Sequence, residues 1–362
     1  MNKDADARPA GAWLGRHRAQ FRLGLRITVA SLATFVLAHL LGLAQSSWAV
    51  LTALIVMQAS VGGSLKATAD RFVGSLGGAV WGVAVSLAVP HADPVSLGFA
   101  LAAGVAPLAV VAALRPAYRV APVTAIILLL GPSGHAADPL ASAVQRMLEI
   151  GLGSLVALTV ALTVLPERAH GHLARAAGES LALMARLTAL LADAVTGLYD
   201  AAAVQALHDA IRGAIGRAET AAAEAGRERR SYLAAGPDPE PLCRTLRRLR
   251  NGLSSIGHAV AEPLPEPTRE RLDPPAKGAL AAAAELMAAA GSALSARLAP
   301  PSPRGLEAAV ATFEAAVTAL RRSGLTRDLA DDALGRVFAL AFALDQLRQN
   351  LTDLIDRAAE MA

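Results

Sequence analysis

The chain has 362 residues, of which 54% are hydrophobic, 18% charged and 4% aromatic, with a net charge of +4. That balance is the composition of a membrane protein rather than of an ordinary soluble domain. The single cysteine, Cys243, excludes an intrachain disulfide and a cysteine-built zinc cluster. A basic excess without stacking aromatics or a binding-fold signature argues against nucleic acid as a partner.

Residues 1–24 are polar and basic, with Arg8, Arg16, Arg18 and Arg22 ahead of the first apolar run. They are similar to the leading region of a signal peptide, but the run that follows is long for one and more spans succeed it, so the first span is read as uncleaved. Hydropathy predicts six spans, at 25–43, 48–61, 72–89, 95–114, 120–131 and 147–165. The expected fold is an all-α membrane protein, with residues 25–165 forming a six-span transmembrane domain and residues 166–362 a cytoplasmic helical domain.

Charge fixes the expected orientation. Basic residues stand before the first span, at Lys66 and Arg71, at Arg115 and Arg119, and at Arg168 and Arg175. The alternate loops 42–47 and 90–94 hold none, and 132–146 holds only its terminal Arg146. By the positive-inside rule both termini are cytoplasmic and Trp48 lies at the outer interface, as in a multi-pass protein of a bacterial inner (plasma) membrane.

Two copies of one unit are visible. The string AVLTALIV at 49–56 recurs as APVTAIIL at 121–128, and RFVGSLGG at 71–78 has a fainter echo in RMLEIGLG at 146–153. A three-span unit reverses direction when duplicated, so the halves are two inverted three-helix repeats. Spans two and five reach only about 20 Å at ~1.5 Å per residue, against a hydrocarbon core of about 30 Å. Short or Gly/Pro-interrupted segments in corresponding places of inverted halves point to a transport site near the midplane. The interrupters here are Gly62, Gly63, Pro122 and the Gly131-Pro132 pair. Local thinning of the bilayer around short spans is the plainer alternative. Small residues at Gly74, Gly77, Gly78 and Gly82 on span three, and at Gly151 and Ser154 on span six, predict close helix packing.

Ionisable groups in or beside the spans are few, and a charge at a helix centre costs about 3 kcal/mol on insertion scales, so each is expected to face a cavity or a partner. The cations are Arg26, Arg71 and Arg146. A guanidinium grips a carboxylate through two parallel hydrogen bonds, which suits an organic acid. Arg26 and Arg71, placed at inner helix ends, also fit snorkelling to lipid phosphates, whereas Arg146 breaks the positive-inside pattern. Glu149 shares its helix face, either as a proton-coupling partner that protonates when substrate competes for Arg146 or as a structural counter-ion. His39 titrates in the range of a proton step. Thr52, Gln58 and Thr124 offer neutral hydrogen bonds, and Trp81 offers a stacking surface. No phosphate-binding loop, H-E-x-x-H motif or catalytic triad appears, so the chain reads as a non-enzyme with no cofactor and no metal.

Beyond residue 166 the pattern becomes that of a helical bundle. Two heptad seams stand out, one at Leu242, Leu246, Leu249, Leu253, Ile256 and Val260, the other at Val337, Leu340, Leu344, Leu347, Leu351 and Leu354. Breaks at Gly236-Pro237, 263–267, Pro274-Pro275 and 300–303 divide this half into five or six helices. Its seams close either within the bundle or across a dimer contact. Arg227, Arg229, Arg230, Arg244, Arg247, Arg248 and Arg250 form a basic cluster that is a solvated face, a contact for anionic lipid headgroups, or a funnel for anions.

Trp48 followed by Leu51-Thr52-Ala53, then Gln58-Ala59-Ser60-x-Gly62, then Arg71-Phe72-x-Gly74-x-x-Gly77-Gly78, resembles the FUSC family of fusaric-acid-resistance and aromatic-acid-exporter proteins, to which plant aluminium-activated malate transporters are similar in plan. The resemblance covers the six spans; in the second half it rests mainly on Leu344-Asp-Gln-Leu-Arg-Gln-Asn-Leu351. Ala59 stands where the family commonly has proline. The resemblance implies a membrane transporter that exports small organic anions, aromatic carboxylates in particular, driven by the proton gradient. Because many members carry two such modules in one chain, a chain with one implies a homodimer in the lipid bilayer. A passive organic-anion channel or uniporter, and a membrane scaffold whose bundle binds a partner, are the alternatives.

Overall fold

The computed structural model describes residues 18–43, 45–89, 93–130, 139–327 and 329–361. The described residues are predominantly helical, without strands, and fall into two compact units, Met1–Arg168 and Ala169–Ala362. Residues 1–17 of the basic N-terminal segment, with Arg8 and Arg16, and the Gly131-Pro132 pair lie outside the described residues.

The first unit contains α1 (Arg18–Leu40), α2 (Ser46–Val56), α3 (Val61–Ala88), α4 (Pro94–Leu114), α5 (Ala121–Leu130) and α6 (Pro139–Thr163), with a 3₁₀ turn at Pro116–Tyr118 before α5. Four of these, α1, α3, α4 and α6, are long and apolar enough to cross a membrane, while α2 and the Pro116–Leu130 stretch are apolar but short. Large apolar side chains cover the outside of this unit, among them Leu32, Phe35, Val80, Phe99, Val110 and Leu155. A surface of that kind belongs in lipid.

Three helices begin seven or more residues before hydropathy places them, and α2 ends at Val56 rather than at 61. Helix α3 starts at Val61, so the expected glycine-rich turn is its first turn: Ser60 caps it by accepting a hydrogen bond from Gly63 N–H at 2.9 Å. Lys66 is not a loop residue but pairs with Asp70 one turn on, which lets a polar stretch continue the helix. The chain break between α2 and α3 is instead the short extended linker at 57–60. Helix α6 starts at Pro139, which puts Arg146 well inside it, and α1 starts at Arg18. The 28 residues of α3 span about 42 Å at ~1.5 Å per residue, more than the bilayer's apolar core. Helix α4 has the expected extent and opens on a capping box between Asp93 and Ser96.

The second unit holds α7 (Ala169–Ala194), α8 (Ala201–Arg230), α9 (Glu240–Val260), α10 (Thr268–Ala296), α11 (Arg304–Arg322) and α12 (Asp331–Met361), packed around one continuous core. The two heptad seams close within this unit: α9 packs against α12, and every seam residue of both is buried. Helix α10 is also long and apolar enough to span a membrane, yet Leu272, Leu280, Met287 and Leu294 are buried in the core. Its apolarity is that of an alanine-rich central bundle helix, packed on α7 and α11. The expected break at Pro274-Pro275 is absent, since both prolines lie inside α10. The carbonyls they leave unpaired belong to Glu270 and Arg271, which are exposed, so water can satisfy them.

Candidate functional site

The two short helices each pack on a long helix. Helix α2 packs on α6, α5 packs on α3, and α3 and α6 pack on each other. Both crossings depend on a glycine. A Cβ on Gly153 would stand 2.2 Å from the Ala49 carbonyl oxygen, and one on Gly78 would stand 2.2 Å from the Ala121 carbonyl oxygen. When AVLTALIV is set on APVTAIIL and RFVGSLGG on RMLEIGLG, Ala49 falls on Ala121 and Gly78 on Gly153, so equivalent positions of the paired strings make the same kind of contact. Thr52 and Thr124 follow suit: both are buried, and each hydroxyl donates back to the carbonyl of Trp48 or Val120 one turn earlier, at 2.9 and 3.3 Å. Gly74 and Gly82 complete the seam against the 3₁₀ turn and α5, whereas Gly151, expected to pack closely, has open space around it.

Among the described residues of this unit four charged side chains are buried: Arg26 (1% exposed), Arg71 (6%), Arg146 (4%) and Glu149 (2%). Arg26 and Arg71 therefore do not snorkel. Arg26 donates to the Ala59 carbonyl at 3.1 Å and so pins the linker between α2 and α3. The same linker is tied down where Ser64 accepts from Gln58 N–H and where Val61 N–H donates to the Glu167 carbonyl.

Arg146 is the centre of the densest polar group. Its guanidinium lies 4.1 Å from the centre of the Trp48 ring, a cation–π stack, and one of its nitrogens, Nη1, is 3.6 Å from Glu149 Oε2. Glu149 Oε1 accepts from Gln145 Nε2 at 3.3 Å, and the carboxylate is within reach of the backbone N–H of Gln45, the N-cap of α2. Helix α2 has no side-chain cap of its own, so Glu149 supplies negative charge where the α2 dipole is positive. Arg146 nonetheless keeps Nε and Nη1 without a hydrogen-bond acceptor.

A cavity of about 240 Å³ opens beside this group. Gln45, Trp48, Ser142, Gln145, Arg146 and Glu149 line its polar side, and Ile126, Ile127, Leu128 and Leu130 at the end of α5 line its apolar side. A pocket with one apolar wall and a cation under an indole is chemically suited to a flat apolar body carrying a carboxylate. Among the described residues no group of three or more His, Cys, Asp and Glu side chains is arranged to hold a metal ion.

The expected site residues divide accordingly. Arg146 and Glu149 meet at the cavity, and Arg71 on α3 reaches Thr52 on α2 at 3.3 Å. Thr124 is buried in the α3–α5 seam. Gln58 is exposed and turns back to the Ile55 carbonyl. Trp81 donates to the Ala103 carbonyl at 3.1 Å and ties α3 to α4. His39 is exposed and stacks on Phe35. Trp48, Gln45 and Gln145 were not among the expected site residues. Trp48 was read only as an interface anchor, and its stacking on Arg146 follows from the α2–α6 crossing, which the sequence signals through Ala49 and Gly153.

An all-helical unit with several apolar helices and an apolar exterior defines a multi-pass membrane protein. Residues 32–160 match the family model described as fusaric acid resistance protein-like. The match supports membership of that family, which suggests a protein of the membrane transporter type. Comparison with curated proteins returned no match.

Proposed function

We propose that this protein exports a small aromatic carboxylate across a bacterial inner membrane, coupled to protons, through the cavity at Arg146. The observation that carries this reading is the Arg146 guanidinium, buried beneath Trp48 with two nitrogens lacking an acceptor and an apolar wall opposite. A carboxylate entering the cavity competes with Glu149 for Arg146. Two carboxylates on one buried guanidinium repel each other, which favours protonation of Glu149. Substrate and proton then exchange at one cation.

The reading includes six spans in two inverted repeats, both termini cytoplasmic, and a homodimer. The twice-made glycine crossing supports the repeats. In this arrangement the start of α2 and the end of α5 both line the cavity, and rocking of one repeat on the other changes which side it opens to. The runner-up is a passive anion channel, favoured by Arg71, which has no carboxylate partner among the described residues.

Reconstitution in liposomes separates the two. The export reading predicts movement of benzoate-like acids that accelerates with an imposed pH gradient, and Glu149→Gln should keep movement down the anion's own gradient while losing the pH dependence. A conductance that reverses at the anion's equilibrium potential and ignores the pH gradient would instead establish the channel.

A further inference from the structure

The two repeats differ in one chemical respect. Aligning Arg71 with Arg146, as the RFVGSLGG and RMLEIGLG strings do, places Gly74 where the second repeat has Glu149. The structure keeps this equivalence. Glu149 lies against Gln45 at the start of α2, and Gly74 lies against Ala117 just before α5, with 2.9 Å from a Cβ at Gly74 to the Ala117 carbonyl oxygen. Arg146 therefore has a built-in carboxylate and Arg71 has none. Arg71 is 6% exposed, its Nε has no acceptor, and among the described residues it makes no ion pair; its one hydrogen bond goes to the neutral Thr52 hydroxyl at 3.3 Å. One turn along α3, on the same face, Ser75 is fully buried and its hydroxyl also lacks a partner.

A buried cation without a counter-charge is costly, because its lost hydration is not offset by a nearby opposite charge. Arg71 is close enough to Arg146 for the two to repel, and this neighbouring pair of cations has the one carboxylate of Glu149, which lies beside Arg146. We infer that Arg71, with Thr52 and Ser75, forms a second anion station between α2 and α3 that takes a small monoanion, either chloride or the carboxylate of the transported acid. It rests on the same reading of the first unit as a membrane domain, but not on transport through the Arg146 cavity. The two stations differ in kind. At Arg146 an entering anion must displace Glu149, whereas at Arg71 the entering anion is itself the counter-ion. An anion passing from one to the other would leave Glu149 free to re-pair with Arg146.

The test is thermal unfolding of the full chain in lipid nanodiscs, in the Arg146→Gln background to silence the cavity. Chloride and benzoate are titrated separately against sulfate at equal ionic strength. The station predicts a saturable rise in melting temperature in Arg146→Gln, lost when Arg71→Gln is added. Which anion produces the rise tells whether the station holds an inorganic ion or the acid. If Arg71→Gln does not fold, Thr52→Asp serves instead: a carboxylate near Arg71 should stabilise the protein in sulfate and abolish the response. No response in Arg146→Gln, or an undiminished response after Arg71→Gln or Thr52→Asp, overturns the inference. Loss of transport in wild type with a surviving Arg71-dependent shift would sink the export reading and leave this one standing.

Discussion

Replacing Gly78 or Gly153 with alanine adds one methyl group at each of the two helix crossings. That methyl would sit 2.2 Å from a backbone carbonyl oxygen, Ala121 in one case and Ala49 in the other. Ordinary contact requires about 1 Å more, and because the obstacle is backbone, the short helix must move as a body. Overpacking of this kind costs about 1–3 kcal/mol. Against it stands the gain of about 1 kcal/mol when alanine replaces glycine inside a helix. At Gly98 and Gly151, where a methyl meets nothing within 4 Å, only the gain operates. Gly98→Ala and Gly151→Ala are therefore expected to raise the unfolding midpoint, and Gly78→Ala and Gly153→Ala to lower it by similar amounts. Thermal unfolding followed by tryptophan fluorescence in nanodiscs measures all four. If the two crossing variants melt like the two controls, or if only one of them is destabilised, the pseudo-symmetric packing is wrong.

Three further outcomes follow from individual side chains. Trp48→Leu removes the ring over Arg146; a cation–π contact out of water contributes up to about 2 kcal/mol, so affinity for an aromatic acid should fall several-fold to tenfold or more, measured by equilibrium binding. Cys243 is buried, and burial followed by the charge of Glu219 pushes its thiol up to about 11. Labelling by a thiol reagent at pH 8 should then be on the order of a hundredfold slower than for a free cysteine, and fast once the protein is denatured. His208 is held below its ordinary value, first by burial and then by Arg212, Arg250 and His258, with only Asp209 acting the other way. The unfolded chain binds that proton more readily, so this contribution to stability is present above pH 6.5 and is lost as the pH falls below it. His208→Gln should flatten the acid slope of the unfolding midpoint between pH 6.5 and 5.

Much of this architecture could be read from residues. The echo of AVLTALIV in APVTAIIL marked the two short helices, and the seam of leucines from Leu242 to Val260 marked a helix that closes on α12. What escaped was rotation and extent. Hydropathy starts a span at the first long apolar run, so it cut the first turns from α3 and α6 and left Arg71 and Arg146 at their ends; Lys66 and Asp70 pair along α3 and cost the helix little. Likewise Gly151 and Gly153 are equally small, but only one faces α2, and nothing in composition distinguishes them. His39, Gln58 and Trp81 carry suitable chemistry on faces that point away from the cavity, because a helix's facing is set by what packs on it. Arg146 and Glu149 were legible because a charge pair at helical spacing inside an apolar run needs a buried partner.

Radiolabelled benzoate flux into liposomes, compared between wild type and Arg146→Gln at matched reconstitution, bears most directly on the central claim. The account predicts saturable flux in wild type and a loss of at least tenfold in the variant, with the variant still folded by its unfolding midpoint. Equal flux through both proteins would contradict it.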